Sequence, residues 1–363
     1  MRPLTAILVL TFLAITVLLQ GSAGEKQFTF NVKKGDKLDV RLADGSITVQ
    51  TWDKDEISLR IHSSDDEELS NVTATQGGGT VLVEDNGSGD MQVVARVPVN
   101  FTLELRTGAG DIGVKGTLVG DIHGTSGGGN ISVGKTTGTV NVQTAGGDIV
   151  TEDVTGDARL MTAGGGVSVK GVTGQAEIVT AGGDMHIGTI GKTLHASTAG
   201  GDVQLESSGS DCDLSTSGGS ISVGTCAGRT SLRSAGGDID LRSGKGSLSV
   251  STAGGTVNLH SVQGSVRAQS SAGDMNVTLD PSVGESSDIV TGVGNIVFTI
   301  SGDANATIEA RTPGLPGNEE EGGIRTDFPV VKRKGGNVEV KIGSGSHRIQ
   351  LETRMGEIVI RKK

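Results

Sequence analysis

The chain has 363 residues, a formal net charge of −11, sixty glycines, one tryptophan and no tyrosine. The negative charge argues against a nucleic-acid partner, because phosphate binding needs clustered Lys and Arg that this sequence does not supply. Regularly spaced Val, Ile and Leu argue against a disordered linker, in spite of the glycine content.

In chain order, Arg2 to Leu19 form an apolar run with a positive start, and the small residues Gly21, Ser22, Ala23 and Gly24 follow it. That is the pattern of a secretory signal peptide cleaved near Ala23. An uncleaved anchor is the alternative, since the run is close to the minimum spanning length. Residues 1–24 are accordingly assigned to a signal peptide. The mature chain is expected to be secreted, periplasmic or on the cell surface, with no transmembrane segment after cleavage. Residues 25–106 follow as irregular opening β coils and a cap, with strand signals at Gly45-Ser-Ile-Thr-Val and Gly79-Thr-Val-Leu-Val. The acidic runs Asp65 to Glu68 and Glu319 to Glu321 read as solvated loops.

Residues 107–280 repeat with a period of 18: Thr144-Ala-Gly-Gly-Asp148-Ile returns as Thr162-Ala-Gly-Gly-Gly166-Val, Thr180-Ala-Gly-Gly-Asp184-Met and Thr198-Ala-Gly-Gly-Asp202-Val, and so on to Thr252-Ala-Gly-Gly-Thr256-Val. A fixed period of this length signifies stacked supersecondary units. With the residue after Gly-Gly counted as zero, apolar residues fall in columns. Position one holds Ile149, Val203, Ile239 and Val257, and position three holds Val169, Ile187, Leu205, Val223, Leu241 and Leu259. The spacing of two marks one face of a strand. Position six (Val154, Val172, Ile190, Cys226) ends that strand, and a glycine turn follows it. A second strand carries Leu214 and Val250 at position twelve. These residues form the expected core of an all-β, single-chain parallel β-solenoid (β-helix) with 18-residue coils. Residues 281–363, where Val293-Gly-Asn295-Ile, Gly335-Gly-Asn337-Val and Met355-Gly-Glu357-Ile stretch the period, are expected to be irregular C-terminal coils and a cap. The few aromatic residues, confined to the terminal portions, are expected to seal the ends.

Thr or Ser at position fourteen (Thr144, Thr162, Thr180, Thr198, Thr216, Ser234, Thr252) shares the inward parity and predicts a hydroxyl ladder at the corner. The Gly-Gly that follows is expected to supply positive φ. The Asp after it is a common turn residue able to bond neighbouring amides. Calcium is the alternative for that column, as in nonapeptide β-rolls. Gly166, Ser220 and Thr256 interrupt the column, however, and the second half of each coil lacks a matching Asp.

Cys212 and Cys226 fall in inward columns that flank one corner of successive coils, which makes them a possible disulfide in an exported protein. Two small apolar fillers is the competing reading. His62, His123, His186, His195, His260 and His347 are scattered, with no metal-ligand spacing and no nucleophile motif. No catalytic, metal or cofactor residue is therefore assigned, and no enzyme activity is expected.

The segment from Val97-Pro-Val-Asn-Phe to Gly-Asp111-Ile, the Gly-Gly-Asp-Ile series, Ile324-Arg-Thr-Asp-Phe-Pro-Val, and the ending from Gly343-Ser-Gly-Ser-His to Arg-Lys carry a resemblance. Together they resemble the bacterial β-strand-repeat family of candidate adhesins, a domain family of unknown function, over nearly all of the mature chain. The resemblance implies a secreted or envelope-attached β-solenoid, and it carries no catalytic residues. The expected function is non-enzymatic, structural or adhesin-like, at the cell envelope or surface, with an envelope component, a surface or a glycan as partner. The alternatives are a β-helix polysaccharide-active enzyme and a calcium-binding β-roll.

Overall fold

The computed structural model describes residues 24–85, 87, 89–281, 285–313 and 323–363. The expected signal peptide, apart from Gly24, and the run Glu319 to Glu321 lie outside the described residues. The described chain is all-β and mostly parallel, with one short helix, Asp66–Ser70. It divides into two units, Met1–Gly138 and Thr139–Lys363.

In the second unit the alternation of the repeat becomes two parallel ladders. One strand of each period (Ile149–Thr155, Val167–Val172, Met185–Ile190, Val203–Ser208, Ile221–Cys226) pairs with its equivalent 18 residues on, Ile149 opposite Val167 and Val203 opposite Ile221. The other (Ala158–Thr162, Ala176–Val179, Leu194–Ser197, Cys212–Thr216, Thr230–Ser234) does the same, with Leu214 opposite Leu232. Inward columns are nearly dry: Ile149, Val203, Leu214, Ile239, Leu241 and Val257 are 0% exposed, and Val169, Ile187, Leu205, Val223, Val250 and Leu259 reach at most 3%. Each such side chain removed from water stabilises the fold by about 1.5–3 kcal/mol, against a backbone entropy cost of about 1–2 kcal/mol per ordered residue. The in-register backbone bonds between periods therefore carry part of the balance.

The corners are held by side chains that reach from one period to the next. Thr162 Oγ1 donates to the Gly147 carbonyl at 2.8 Å and accepts from the Gly165 amide at 3.2 Å. Thr180, Thr198, Thr216, Ser234 and Thr252 repeat both bonds. The Asp column does the same on the outside: Asp148, Asp184, Asp202 and Asp238 each accept, through Oδ1, the amide at position zero of the following period, at 2.7–2.8 Å. The Gly-Gly pair is needed for a reason other than the expected one. The second glycines have no positive φ, but a Cβ on Gly165 would lie 2.2 Å from the Gly147 carbonyl oxygen, and one on Gly183 2.2 Å from that of Gly165. Close approach of successive backbones excludes a side chain there.

Past residue 281 spatial order departs from chain order. Ser286–Val293 pairs with His347–Met355, and only then does His347–Met355 pair with Ala306–Arg311. In the other ladder Ile358–Lys362 lies between Ile296–Ile300 and Ile324–Thr326. The final strands are thus interior to their ladders. Gly335-Gly-Asn337 belongs to an antiparallel hairpin of Val330–Lys334 with Asn337–Ile342 instead of a repeat corner. Phe298 is wholly buried opposite Val277 and Ile360 and fills the interior of the ladder.

The first unit, taken by itself, uses the same device. Asp44–Trp52 pairs in parallel with Asp90–Pro98 and with Ile112–Val119, so that Ile47 faces both Val93 and Ile112. Lys37–Arg41 likewise lies between Thr80–Asp85 and Thr102–Thr107. The run Asp65 to Glu68, expected as a loop, opens the short helix. Asp65 caps it by accepting the Glu67 amide at 2.8 Å, and the acidic first turn suits the positive end of the helix.

Candidate binding face

In the strand after each Gly-Gly corner the apolar positions are one, three and six. The interval of three between the last two leaves two consecutive residues facing outward at positions four and five, and the burial pattern of Ile149–Thr155 shows them: Ile149, Thr151 and Val154 are buried, while Glu152 is exposed and Asp153 half-exposed. From Ile149 to Gly244 the register pairs skip position four but keep the 18-residue offset, Thr151 to Val169 and then Asp153 to Gly171. The irregularity is therefore stacked on itself. Its consequence is an open trough of about 1180 Å³ along this ladder from Val150 to Arg242.

Three outward columns, at positions two, four and five, line the trough, the last through Asp153 and Thr189. Position two supplies Ser168, His186, Gln204, Ser222 and Asp240, and position four supplies Glu152, Lys170, Glu206 and Arg242. Glycine at Gly171, Gly188 and Gly224 leaves gaps between them. A Cβ on Gly188 or Gly224 would lie 2.0 or 2.2 Å from a backbone carbonyl oxygen of the preceding period, so these gaps are built into the backbone. Lys170 Nζ pairs with Asp153 at 3.0 Å, which with the nearby Glu152 raises its pKa above the usual lysine value. Asp240 is 2.8 Å from His260 Nε2. Glu206 and Arg242 have no ion-pair partner within 4 Å among the described residues. The opposite ladder also pairs charges along the stack, Arg159 with Glu177 and Arg233 with Asp213, both at 2.8 Å.

Sequence reasoning placed the core columns and missed this trough. The signal was present in the change of apolar spacing from two to three, which fixes where two adjacent side chains must face out. Cys212 and Cys226 are each 2% exposed and are free thiols within hydrogen-bonding reach of each other. The bond with Cys226, and then burial, pushes the Cys212 thiol up, while the same bond lowers Cys226. His186, His195 and His260 are exposed. Ser287 Oγ lies 3.0 Å from His347 Nε2, but both residues are 1% exposed and Oγ also accepts the Val266 amide. That pair ties strands together and is closed to substrate. In the first unit, Asp39 is 2% exposed beneath Arg41, with Lys37, Glu84, Glu104 and Arg106 around it. Three cations meet three carboxylates, and the network is self-neutralising. The hydrogen bond from Lys37 holds the Glu104 carboxyl below its usual range and raises the lysine. Among the described residues no three His, Cys, Asp or Glu side chains are placed to hold a metal, and no helix is long and apolar enough to cross a membrane.

The family model described as Toastrack DUF4097 matches residues 15–225 and 192–361. No curated protein matches the chain. Solved structures similar to it include a candidate adhesin from Bacteroides fragilis, at 15% identity over 94% of this chain and 98% of that one, with a TM-score of 0.21. A candidate lipid-binding protein from Parabacteroides distasonis has 12% identity over 94% and 98%, with a TM-score of 0.22. A candidate cell-adhesion protein from Clostridium sporogenes has 8% identity over 93% and 100%, with a TM-score of 0.20. Superposition of that degree assigns no function.

Proposed function

The chain belongs to the Toastrack DUF4097 family, and from that membership and the geometry of its repeat we propose that it is a non-catalytic, exported β-solenoid of 18-residue coils with irregular capping ends. It serves as a structural or adhesin-like protein of the cell envelope or surface. Export rests on the apolar run from Arg2 to Leu19 and the small residues after it.

The observation that carries this reading is the division of labour within each period. Inward side chains fill the core, and the Thr and Asp columns are committed to backbone groups of neighbouring periods. What varies from period to period is the outward set, and one ladder gathers it into a trough. Binding through such a face comes from many shallow contacts that reinforce one another. The calcium alternative loses its main support, because the carboxylates that suggested it each hold an amide of the next period.

The test is retention of the exported chain on envelope fractions and immobilised glycans, against a variant with His186, Gln204 and Asp240 all changed to Ala. Retention by the parent and its loss in a variant of unchanged melting temperature is the expected result. Equal retention of the two proteins would remove the trough from the function.

A further inference from the structure

The trough has a chemistry that selects among ligand classes. Its floor mixes groups that only accept hydrogen bonds (Glu152, Glu206), groups that only donate (Lys170, Arg242) and groups that do both (Ser168, Gln204). A ligand lying along it meets these roles in no simple order, at steps of about 4.8 Å set by parallel strand spacing. Groups that can only donate or only accept are mismatched at some step, and each buried mismatch costs about 1–3 kcal/mol. Hydroxyl groups donate and accept at every step.

Charge narrows the class further. Four carboxylates (Glu152, Asp153, Glu206, Asp240) face two cations (Lys170, Arg242) within the trough, and the chain as a whole carries −11. A polyanion is repelled by this field, while for a polycation Asp153 and Asp240 are already engaged by Lys170 and His260, which leaves Glu152 and Glu206 beside Arg242. An extended peptide has amphoteric groups in its backbone, but strand addition needs a free sheet edge. The trough lies across the middle of a ladder whose backbone groups are already paired on both sides, as Met185–Ile190 is with Val167–Val172 and Val203–Ser208.

We infer that the trough between Glu152 and Arg242 is a binding site for an uncharged, hydroxyl-rich linear polymer, a neutral glycan, laid along the ladder. The inference rests on the binding role proposed above and names its ligand. From the row of Val150 to that of Asp240 is five periods, or about 24 Å at the parallel spacing, so the site is long enough to engage several sugar units at once. Because the face has no aromatic platform, each unit is held weakly and affinity grows with chain length.

The probe is the polysaccharide-containing envelope fraction, divided into three portions: untreated, digested with protease, and oxidised with periodate, which cleaves vicinal diols. Binding is expected to survive protease, to be abolished by periodate, and to change less than threefold between low and high salt. The variants Gln204→Ala and Asp240→Ala, at unchanged melting temperature, are expected to weaken it at least tenfold together, while Arg159→Ala on the other ladder has no effect. Binding that resists periodate, falls with protease or collapses with salt would overturn the glycan assignment and leave the adhesin-like role standing. Absence of binding to every portion would remove both.

Discussion

At the scale of single residues the corner separates charge from hydrogen bonding. Asp238 Oδ1 accepts the Thr256 amide at 2.7 Å, and an amide side chain can accept in the same way, as Asn295 Oδ1 does from the Glu357 amide at 2.9 Å. Asp238→Ala is therefore expected to cost about 1 kcal/mol, the net worth of one such bond, and Asp238→Asn a small fraction of that in thermal unfolding. Equal losses would mean that charge, or a bound cation, matters more than the bond. Thr151 makes the converse case. Its hydroxyl is buried without a partner in a column otherwise filled by Val169, Ile187 and Leu205. Thr151→Val, nearly the same shape, should raise stability by about 1 kcal/mol. The position of Thr151 follows from the repeat, but its missing partner does not, because an orphaned hydroxyl has no sequence signature. The cysteines lie between these cases. Their columns place them beside one corner, both buried, on strands of successive periods, where a bond between them would close a short loop. Thiol titration of denatured, unreduced protein made in an oxidising compartment is expected to find neither thiol free, with the bond worth about 2–4 kcal/mol.

At the scale of elements, regular strands were legible and their order at the end of the chain was not. The columns through Val203, Leu205 and Leu214 announce themselves because local alternation and an in-register neighbour 18 residues away give the same answer. The C-terminal strands alternate equally well, but nothing local tells His347–Met355 to lie between Ser286–Val293 and Ala306–Arg311. That choice rests on side chains that meet only after folding: Ile289 and Ile308 on either side of Leu351 and Ile349, and the buried Ser287–His347 contact. Removing residues 346–363 is accordingly expected to do more than shorten the protein. Hydrogen exchange should rise in 289–300 and 306–311, which lose a partner strand, while 185–226 keep their protection. Ala306–Arg311 keeps its antiparallel partner Asn337–Ile342, so the rise there belongs to the amides that bonded 347–352; if those stayed protected, the two flanking strands would have closed on each other, and the inserted segment would be dispensable.

At the scale of the whole molecule, nearest-neighbour stacking decides how damage spreads. Leu205 is 3% exposed and lies in register between Ile187 and Val223. A carboxylate at that point must either be buried unpaired, at a cost of several kcal/mol, or be brought to water by opening the strands on both sides. Either course is costly, because each freed strand also gives up its own Thr and Asp corner bonds (Thr216 to the Gly201 carbonyl, and the Ser220 amide to Asp202). Leu205→Asp is therefore expected to lower the unfolding transition by far more than one exposed ion pair can. Its effect on hydrogen exchange should be centred on 185–226 and fade over the periods beyond. Arg159→Ala, which removes a pair exposed on both partners, is the control, at less than about 0.5 kcal/mol. A Leu205→Asp protein that melts as the control does would mean that these ladders do not share one interior. A protein that loses protection uniformly from residue 139 to 363 would mean that cooperativity extends over the whole unit and not from neighbour to neighbour. A graded loss fits a repeat in which every period is held chiefly by the two it touches, and in such a structure outward residues can vary freely from period to period while the core and corner columns stay fixed.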